Sequence, residues 1–556
     1  MSLIEVQQKA QAEIDSLRKC KTCIYIDTGA LGKAAGSNPV FEQLVADIAK
    51  RKVNAQVVQT GSLGWRSVEP VVAVTKPGQP RIYYGNVTPA LASELIENVA
   101  ADETPRADLA FATDAPEGFS GIPALSSLPF FAAQKRVSLR NAGKIDAESI
   151  SDALANGAYE GLAKALALTP EAVIGEIENA KLRGRGGAGF PTASKWSASN
   201  QAKADQKYVI CNAAQGLETG GKDEVLLESD PHAVLEGLLI AAYAVGATKA
   251  IVAINPNFVT ARQRVETALE QMKNATLNGE KILGSEFSCA IEVREAPSGL
   301  VGGEETILIN ALEGRQARAS VRPPYPEVEG FNKKPTSVDN VESLVLAAAI
   351  LRDGVEKFRA LGTAASPGTK LVNLTGKLTR TGVVEVPLGT PIAQLVTEIA
   401  GGVAAELKAV QVGGPTGGFL PVADFATALD YETLAEAGCA LGSGTLTAAG
   451  SGACIVDLAR KAAGVANKAS CGKCTFGREG SRQLKDVLTD MSKGRSATSD
   501  IDLLLSVSDG MKAGSLCANG KNAPDAVITA LRYFRPEVEA HLSGSKQCPA
   551  RVCGNN

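Results

Sequence analysis

The spacing of apolar and polar positions divides the chain into stretches of different period. Residues 1–19 set apolar side chains three and four apart among amides and charges, which predicts an amphipathic helix. Cys23–Asp27 then reads as a strand, followed by a glycine-rich turn and helical spacing from Phe41 to Lys52. Asn54–Thr60, Val71–Thr75 and Arg81–Tyr84 read as strands, and Ala90–Val99 as a helix. This β-α-β-β-α order predicts a small thioredoxin-like layer, with the polar stretch Ala101–Gly121 as the linker that follows it. Tyr208–Cys211 and Ala250–Ile254 are continuous apolar runs with a long apolar helix between them, the pattern of parallel strands covered on both faces. Residues 368–422 carry strand-like runs broken by glycine turns and predict a small β-rich module. Ile455–Ala463, Gly480–Lys493 and Pro524–Phe534 return to a helical period, and Pro524 suits the first turn of the last of them. The expected fold class is multidomain α/β.

Composition sharpens this picture in three ways. The chain has 556 residues, too many for one core. A net charge of −3 gives no electrostatic case for nucleic acid. The longest apolar run, Gly237–Thr248, is closed by Glu236 and Lys249, so it predicts a buried helix rather than a membrane span. The N-terminal residues hold acids and amides without a long apolar centre and read as a helix, not a signal peptide. Eleven cysteines in such a chain point to metal or redox use in a cytoplasmic protein rather than to disulfides.

The candidate chemistry centres on Lys181–Trp196. Four glycines, Gly184, Gly186, Gly187 and Gly189, fall within six positions, flanked by Arg183 and Arg185 and followed by Lys195. Glycine lets backbone N–H groups approach an anion closely, and the cations add charge. The spacing is neither a dinucleotide fingerprint nor a Walker A loop, because no Gly-Lys-Ser/Thr follows.

The string RGRGGAGFPTxxKW resembles the NADH-binding flavoprotein subunit of respiratory complex I, and the beta subunits of NAD-linked iron hydrogenases and formate dehydrogenases. Gly302–Thr306 with Asn310 and Leu312–Gly314 is similar to that family's CGEETALxNSLEG, with Gly302 in place of its Cys. Arg322–Pro326 resembles KPPFP, and Lys334–Glu342 resembles KPTTINNVE. The resemblance implies five parts: a thioredoxin-like domain (1–115), a Rossmann-like FMN/NADH domain (116–365), a β-grasp-like domain (366–435), a helical bundle with an iron–sulfur-type cysteine motif (436–545) and a tail (546–556). It implies an FMN that takes a hydride from NADH and passes electrons singly to iron–sulfur centres in other subunits of a redox complex. Carried over by position, Gly184, Arg185, Gly187 and Lys195 would hold the FMN phosphate and ribityl chain. Asn212, Gly303, Glu304, Thr336 and Asn340 would line the flavin. Phe190 would stack near the nicotinamide side, and Arg322 and Tyr325 would flank the adenine end. Glu305 would lie near the adenosine ribose, where its charge disfavours a 2′-phosphate and favours NADH over NADPH.

Three stretches depart from that family. In Cys211–Asp223 the family's flavin-side Asp, the following Glu and the nucleotide-contacting Glu are Ala214, Gln215 and Leu217, with Glu218 displaced by one position. Each lost charge-assisted bond weakens binding by about 1.5–3 kcal/mol. In the N-terminal layer, hydrogenase-type relatives carry a [2Fe–2S] cluster on four cysteines and read GCLGFC where this chain reads Gly61–Arg66 as GSLGWR, so no cluster is expected there. In Ser470–Gly480, Cys471 and Cys474 remain and Cys517 follows, but the third ligand position is Gly477. Three thiolates leave open a [4Fe–4S] cluster with another fourth ligand, a [3Fe–4S] form, zinc or an empty site. The pair Cys20 and Cys23 lacks a partner pair. Cys211, Cys289, Cys439 and Cys454 read as core thiols, Cys548 and Cys553 as a vestige or partner contact, and His232 and His541 as structural. Two functions fit: an NADH-oxidising flavoprotein subunit, or an electron-transfer or scaffold subunit that keeps FMN without productive NADH binding.

Overall fold

The computed structural model describes residues 3–216, 221–542 and 548–553. The chain opens with a helix, Leu3–Cys20, tied to the body by an Arg18–Asp152 ion pair of 3.3 Å. Five strands follow: β1 (Thr22–Asp27), β2 (Ala55–Thr60), β3 (Val72–Thr75), β4 (Ile82–Tyr84) and β5 (Ala110–Thr113). They form one sheet in the order β2-β1-β3-β4-β5, parallel between β1 and β2 and antiparallel elsewhere. Alternation sorts the side chains onto two faces. Ile24 and Ile26 meet Val40, Leu44, Leu95 and Ile96 of the helices Ser37–Arg51 and Pro89–Ala100. Cys23 and Tyr25 face the opposite way, into a core shared with Val372 and Leu374. Strand β5 lies in the polar stretch read as a linker; four residues are too few to impose a visible period.

The second sheet contains β6 (Tyr208–Ala213), β7 (Lys249–Ile254), β8 (Ala290–Glu295) and β9 (Thr336–Asn340). Its order is β8-β7-β6-β9 and every pair is parallel. Helices Pro231–Val245 and Val341–Asp353 pack together beside it, buried along most of their length. They touch backbone to backbone at Gly237, where a Cβ would lie 2.1 Å from the Leu344 carbonyl oxygen. From β6 the chain runs through β7 to β8, then crosses back to β9 on the other side of β6. The order therefore reverses between β6 and β9, and open α/β sheets bind ligands outside the carboxyl ends of strands at that reversal.

The third sheet has β10 (Thr369–Gly376), β11 (Gly382–Pro387), β12 (Leu407–Val412), β13 (Gly418–Pro421) and β14 (Thr445–Gly450), in the order β11-β10-β14-β12-β13. Only β10 and β14 run parallel. Strand β14 lies past residue 435, so this sheet draws on a stretch expected to begin the helical part. Helices Ile455–Ala469, Ser481–Ser492, Ser499–Gly514 and Asp525–Tyr533 complete the described chain around Ile455, Leu484, Leu488, Met491, Leu504 and Val527. Among the described residues no helix is long and apolar enough to cross a membrane.

Buried carboxyls sit where the first sheet meets the helix Lys222–Ser229. Glu69 accepts from Ser62 Oγ at 2.7 Å and from the Val71 N–H at 2.9 Å, and Glu228 accepts from the Ala30 N–H at 2.9 Å. Burial, and then the neighbouring Asp27, push Glu69 up to about 8, while burial and Glu224 push Glu228 up to about 8. The fold therefore favours the neutral carboxyls. Their contribution to stability is complete below the unfolded value, about 4.3 for Glu, and is lost as pH rises through about 8. Thermal melts should show the protein weakening as pH rises from about 5 to 8, and Glu69→Gln should weaken less over the same range. Parallel pH profiles for the two proteins would contradict this.

Candidate functional site

The glycine loop sits between the helices Pro170–Asn179 and Thr192–Gln201. Its neck is closed by the Thr192 N–H on the Leu182 carbonyl (2.9 Å) and the Gly184 N–H on the Phe190 carbonyl (2.8 Å). Arg183 donates to the Gly189 carbonyl at 2.8 Å, pairs with Glu432 and lies over the Tyr431 ring at 4.1 Å. Tyr431 OH in turn donates to the Gly184 carbonyl at 2.9 Å. Gly189, at φ +64°, has no room for a side chain, since a Cβ would lie 2.5 Å from the Tyr431 ring.

Arg185 departs from its expected role. Its guanidinium is fully buried and donates to the carbonyls of Thr369 (3.0 Å), Arg183 (3.0 Å) and Pro367 (2.7 Å), so it shapes the loop from behind and is not aimed at a phosphate. Lys195 donates to the Val338 carbonyl and pairs with Asp339 at 2.9 Å. Burial works against its charge, but Asp339 and Glu305 outweigh burial and raise its pKa, so it stays protonated. An ammonium has three donors, which leaves one beyond these two partners.

The loop passes over the carboxyl ends of β6 and β9. A Cβ on Gly186 would lie 3.3 Å from Asn340 Cβ, and Gln215 Nε2 donates to the Gly186 carbonyl at 3.2 Å. Asn212 Nδ2 donates to the Gly303 carbonyl at 2.8 Å, which joins β6 to the second glycine segment. Asn340 Nδ2 donates to Asp223 at 2.8 Å. Thr336 does not reach this place. It begins β9 while Asn340 ends it, about 13 Å away at about 3.3 Å per residue. Its hydroxyl is spent on the turn before the strand, accepting from the Phe331 N–H and donating to the Lys334 carbonyl, both at 2.9 Å.

Gly186, Gln215, Asn212, Gly303 and Asn340 thus come together at the carboxyl ends of β6 and β9, while Gly184 packs on the Phe190 backbone and Gly187 on Gly442. Gly187 holds φ +138° and Thr192 begins the next helix with no side-chain cap. Thr192 Oγ is fully buried and lacks a hydrogen-bond partner. Permissive glycine backbone, an uncapped helix N-terminus and an orphaned hydroxyl suit a phosphate, so the residues present fit an FMN. Of the changed family positions, Ala214 is fully buried beside Asn212, whereas Leu217 and Glu218 lie outside the described residues.

On the outer side, Phe190 and Tyr325 are 55% and 54% exposed, unusually open for large apolar rings. Arg322 pairs with both Glu304 and Glu305, the latter at 2.8 Å. Glu304 also caps the helix Glu305–Leu312, accepting from the Thr306 N–H at 3.0 Å and the Ile307 N–H at 2.9 Å. That carboxylate serves the helix and Arg322 rather than projecting freely at a ring.

Reasoning from sequence missed what lies beneath the crevice. Lys222 pairs with Asp223 (2.7 Å) and Glu342 (3.0 Å), and Lys370 pairs with the same Glu342 at 2.5 Å. Lys222, Asp223 and Glu342 stand inside the quoted motifs, but only the fold shows that they bind one another. Burial pulls Lys370 down to about 7 despite the Glu342 carboxylate.

The cysteine motif lies in the helical part. Cys471, Cys474 and Cys517 are half-buried, and burial raises the Cys517 thiol, with Glu304 and the other two thiols adding to the rise. The Gly477 N–H donates to Cys474 Sγ at 3.4 Å, and a Cβ at Gly477 would lie 3.0 Å from that sulfur. A side chain at position 477 would thus meet the Cys474 sulfur directly, and among the described residues Cys471, Cys474 and Cys517 do not draw together within ligand distance of one another. The convergence among the described residues lies elsewhere: Cys454, His541, Cys548 and Cys553 gather at one point. Cys454 is thus more than a core thiol, and Cys548 and Cys553 have partners within the chain. The Cys-x4-Cys spacing was visible; the distant Cys454 was not. His232 lies in the core between Tyr159 OH (2.7 Å) and Gln271 (3.1 Å). In the first sheet, Ser62 binds Glu69 and Trp65 stacks on Phe130 with centroids 5.2 Å apart, where relatives read GCLGFC.

Gly189→Ala should destabilise the chain by about 1–3 kcal/mol, because the methyl group meets the Tyr431 ring at a left-handed backbone position. A denaturant midpoint equal to that of the parent would show that the loop yields.

Comparison with known proteins agrees with this arrangement. Residues 177–349 match the model of the Nuo51 FMN-binding domain, and residues 457–541 match the iron–sulfur binding region of NADH-ubiquinone oxidoreductase-F. The chain is 40% identical over 422 residues to the HndC subunit of the NADP-reducing hydrogenase of Solidesulfovibrio fructosivorans, covering 76% of this chain and 86% of that protein. It is 36% identical over 416 residues to the second F-type subunit of the NADH-quinone oxidoreductase of Rhizobium meliloti, covering 74% and 99%. A solved structure of NAD+-reducing [NiFe]-hydrogenase in the H2-reduced state superposes with a TM-score of 0.65 at 26% identity, covering 97% of this chain and 90% of the other. The glycine loop, the crevice at the sheet reversal and the cysteine-bearing helices thus place this chain in the family of F-type NADH-quinone oxidoreductase subunits and their hydrogenase counterparts.

Proposed function

We propose that this chain is an FMN-bearing, NADH-oxidising subunit of a multisubunit redox complex, transferring electrons between NAD(H) and iron–sulfur centres. The observation that carries this reading is the crevice at the β6/β9 reversal, where a glycine loop, an uncapped helix N-terminus and the Asn212–Gly303 and Asn340 groups meet. Bound there, FMN supplies hydride acceptance from a nicotinamide and release of electrons one at a time. The chain's own residues position it. The backbone N–H groups of Gly186 and Gly187 and those of the helix beyond Thr192, whose own N–H is taken by the Leu182 carbonyl, receive the phosphate, with the remaining donor of Lys195 beside them. Asn212, Gly303 and Asn340 line the ring. Phe190 and Tyr325 offer open aromatic faces to a nicotinamide and an adenine, and Arg322 and Glu305 border the ribose. Glu305 sets the preference for NADH, in contrast to the NADP in the name of the hydrogenase relative HndC.

Cys471, Cys474 and Cys517 hold a [4Fe–4S] or [3Fe–4S] cluster in this reading, with the corner at Gly477 left to a non-cysteine ligand or to none. The layout is a thioredoxin-like docking domain, a Rossmann-like FMN domain, a β-grasp-like domain and a helical bundle, in a cytoplasmic subunit bound to iron–sulfur and catalytic partners. A second reading, an electron-transfer or scaffold subunit without productive NADH binding, draws support from Ala214 at the crevice floor and from Arg322, which both glutamates already engage.

Anaerobic addition of NADH to the FMN-loaded protein should bleach its flavin band, with NADPH at least tenfold less effective; no bleaching at millimolar NADH selects the second reading. Gly477→Cys should raise bound iron and convert any three-iron signal to a four-iron one in electron paramagnetic resonance. An unchanged spectrum and iron content would remove the assignment of position 477 as the missing ligand position.

A further inference from the structure

Four carbonyl oxygens of the glycine loop are each taken by a side chain. Arg185 donates to the Arg183 carbonyl at 3.0 Å and Tyr431 OH to that of Gly184 at 2.9 Å. Gln215 donates to the Gly186 carbonyl at 3.2 Å and Arg183 to that of Gly189 at 2.8 Å. Among the described residues no acceptor takes the N–H groups of Gly186 and Gly187. A loop whose oxygens are drawn aside while its N–H groups stay free offers the positive ends of its peptide dipoles to an anion.

Three of the four donors are local: Arg183 and Arg185 belong to the loop, and Gln215 follows β6. Tyr431 comes from elsewhere. It opens the helix Tyr431–Glu436, which lies between β13 and β14 of the third sheet. The side chain touches both ends of the loop. Its hydroxyl holds the Gly184 carbonyl, and its ring occupies the space a Gly189 Cβ would need. The Arg183 guanidinium lies over that ring and is itself tied to Glu432 and, at 3.1 Å, to Ser366 Oγ. Burial raises the phenol above its ordinary pKa, so the hydroxyl is a donor at neutral pH.

The peptide between Gly184 and Arg185 is therefore held at both ends. Its carbonyl accepts from Tyr431, and its N–H donates to Ser343 Oγ at 2.8 Å. A trans peptide points these two groups in opposite directions, so Tyr431 and Ser343 together fix its rotation. Without Tyr431 the carbonyl of this permissive glycine is free to turn, and a carbonyl oxygen facing a phosphate repels it.

We propose that Tyr431 is a positioning residue for the FMN phosphate, acting from the third sheet through the Gly184–Arg185 peptide. The inference rests on the FMN reading given above. It makes flavin retention depend on a module that lies outside the flavin domain in sequence.

The test uses the full chain stripped of flavin and titrated with FMN, or with riboflavin, which lacks the phosphate, while flavin fluorescence is followed. The parent should bind FMN at least about tenfold more tightly than riboflavin. Tyr431→Phe keeps the ring against Gly189 and removes the donor. It should weaken FMN about fivefold to tenfold, leave riboflavin unchanged and shift the phosphorus magnetic resonance of bound FMN. The inference is overturned, with the FMN reading intact, if the variant holds FMN as tightly as the parent or if both flavins weaken alike. A parent that holds FMN no better than riboflavin overturns the phosphate assignment and the inference with it. If Tyr431→Phe does not fold, Ser343→Ala, which frees the other end of the same peptide, decides by the same criterion.

Discussion

One buried carboxylate, Glu342, joins three separate parts of the molecule. It stands in the first turn of the helix that follows β9, pairs with Lys222 from the helix after β6 and with Lys370 in β10, and accepts the Leu371 N–H at 2.7 Å. The Lys370 and Lys222 ammonium groups outweigh its burial and hold its pKa below the usual value, so it stays charged. Such a group is tolerated only while its partners remain; removing one from a buried pair costs about 3–5 kcal/mol. The placement of Asn340 depends on the same group, because Lys222 also reaches Asn340 Oδ1 at 3.3 Å and Asp223 binds its amide. The crevice is therefore built on a polar floor and not on apolar packing alone.

This explains which features were legible in the sequence. Elements with a strong period appeared near their true positions, among them Leu3–Cys20, Ser37–Arg51 and the β6 and β7 strands. Glycines that bring two backbones together left a recognisable string, and the loop at Gly184–Gly189 is where that string pointed. Side-chain direction was not legible. Arg185 and Thr336 carry suitable chemistry at suitable motif positions, yet one points into the carbonyls of residues 367–369 and the other stands at the wrong end of its strand. Strands β5 and β14 escaped because four residues, or a run rich in Gly, Thr and Ala, produce too little alternation. The convergence on Cys454 joins residues 87 positions apart, a separation that no local spacing encodes.

The departures from the family's pattern fall into two physical classes. Some remove charge from the flavin crevice, as at Ala214, and leave the backbone in place. Others exchange a thiol for something that packs or hydrogen-bonds, as where Ser62 binds Glu69 and where the Gly477 N–H donates to Cys474.

The backbone contact at Gly237 limits how the crevice can diverge. The helices Pro231–Val245 and Val341–Asp353 meet there at touching distance, so a side chain at that position would wedge them apart and move β9, which the second helix follows, against β7, which the first precedes.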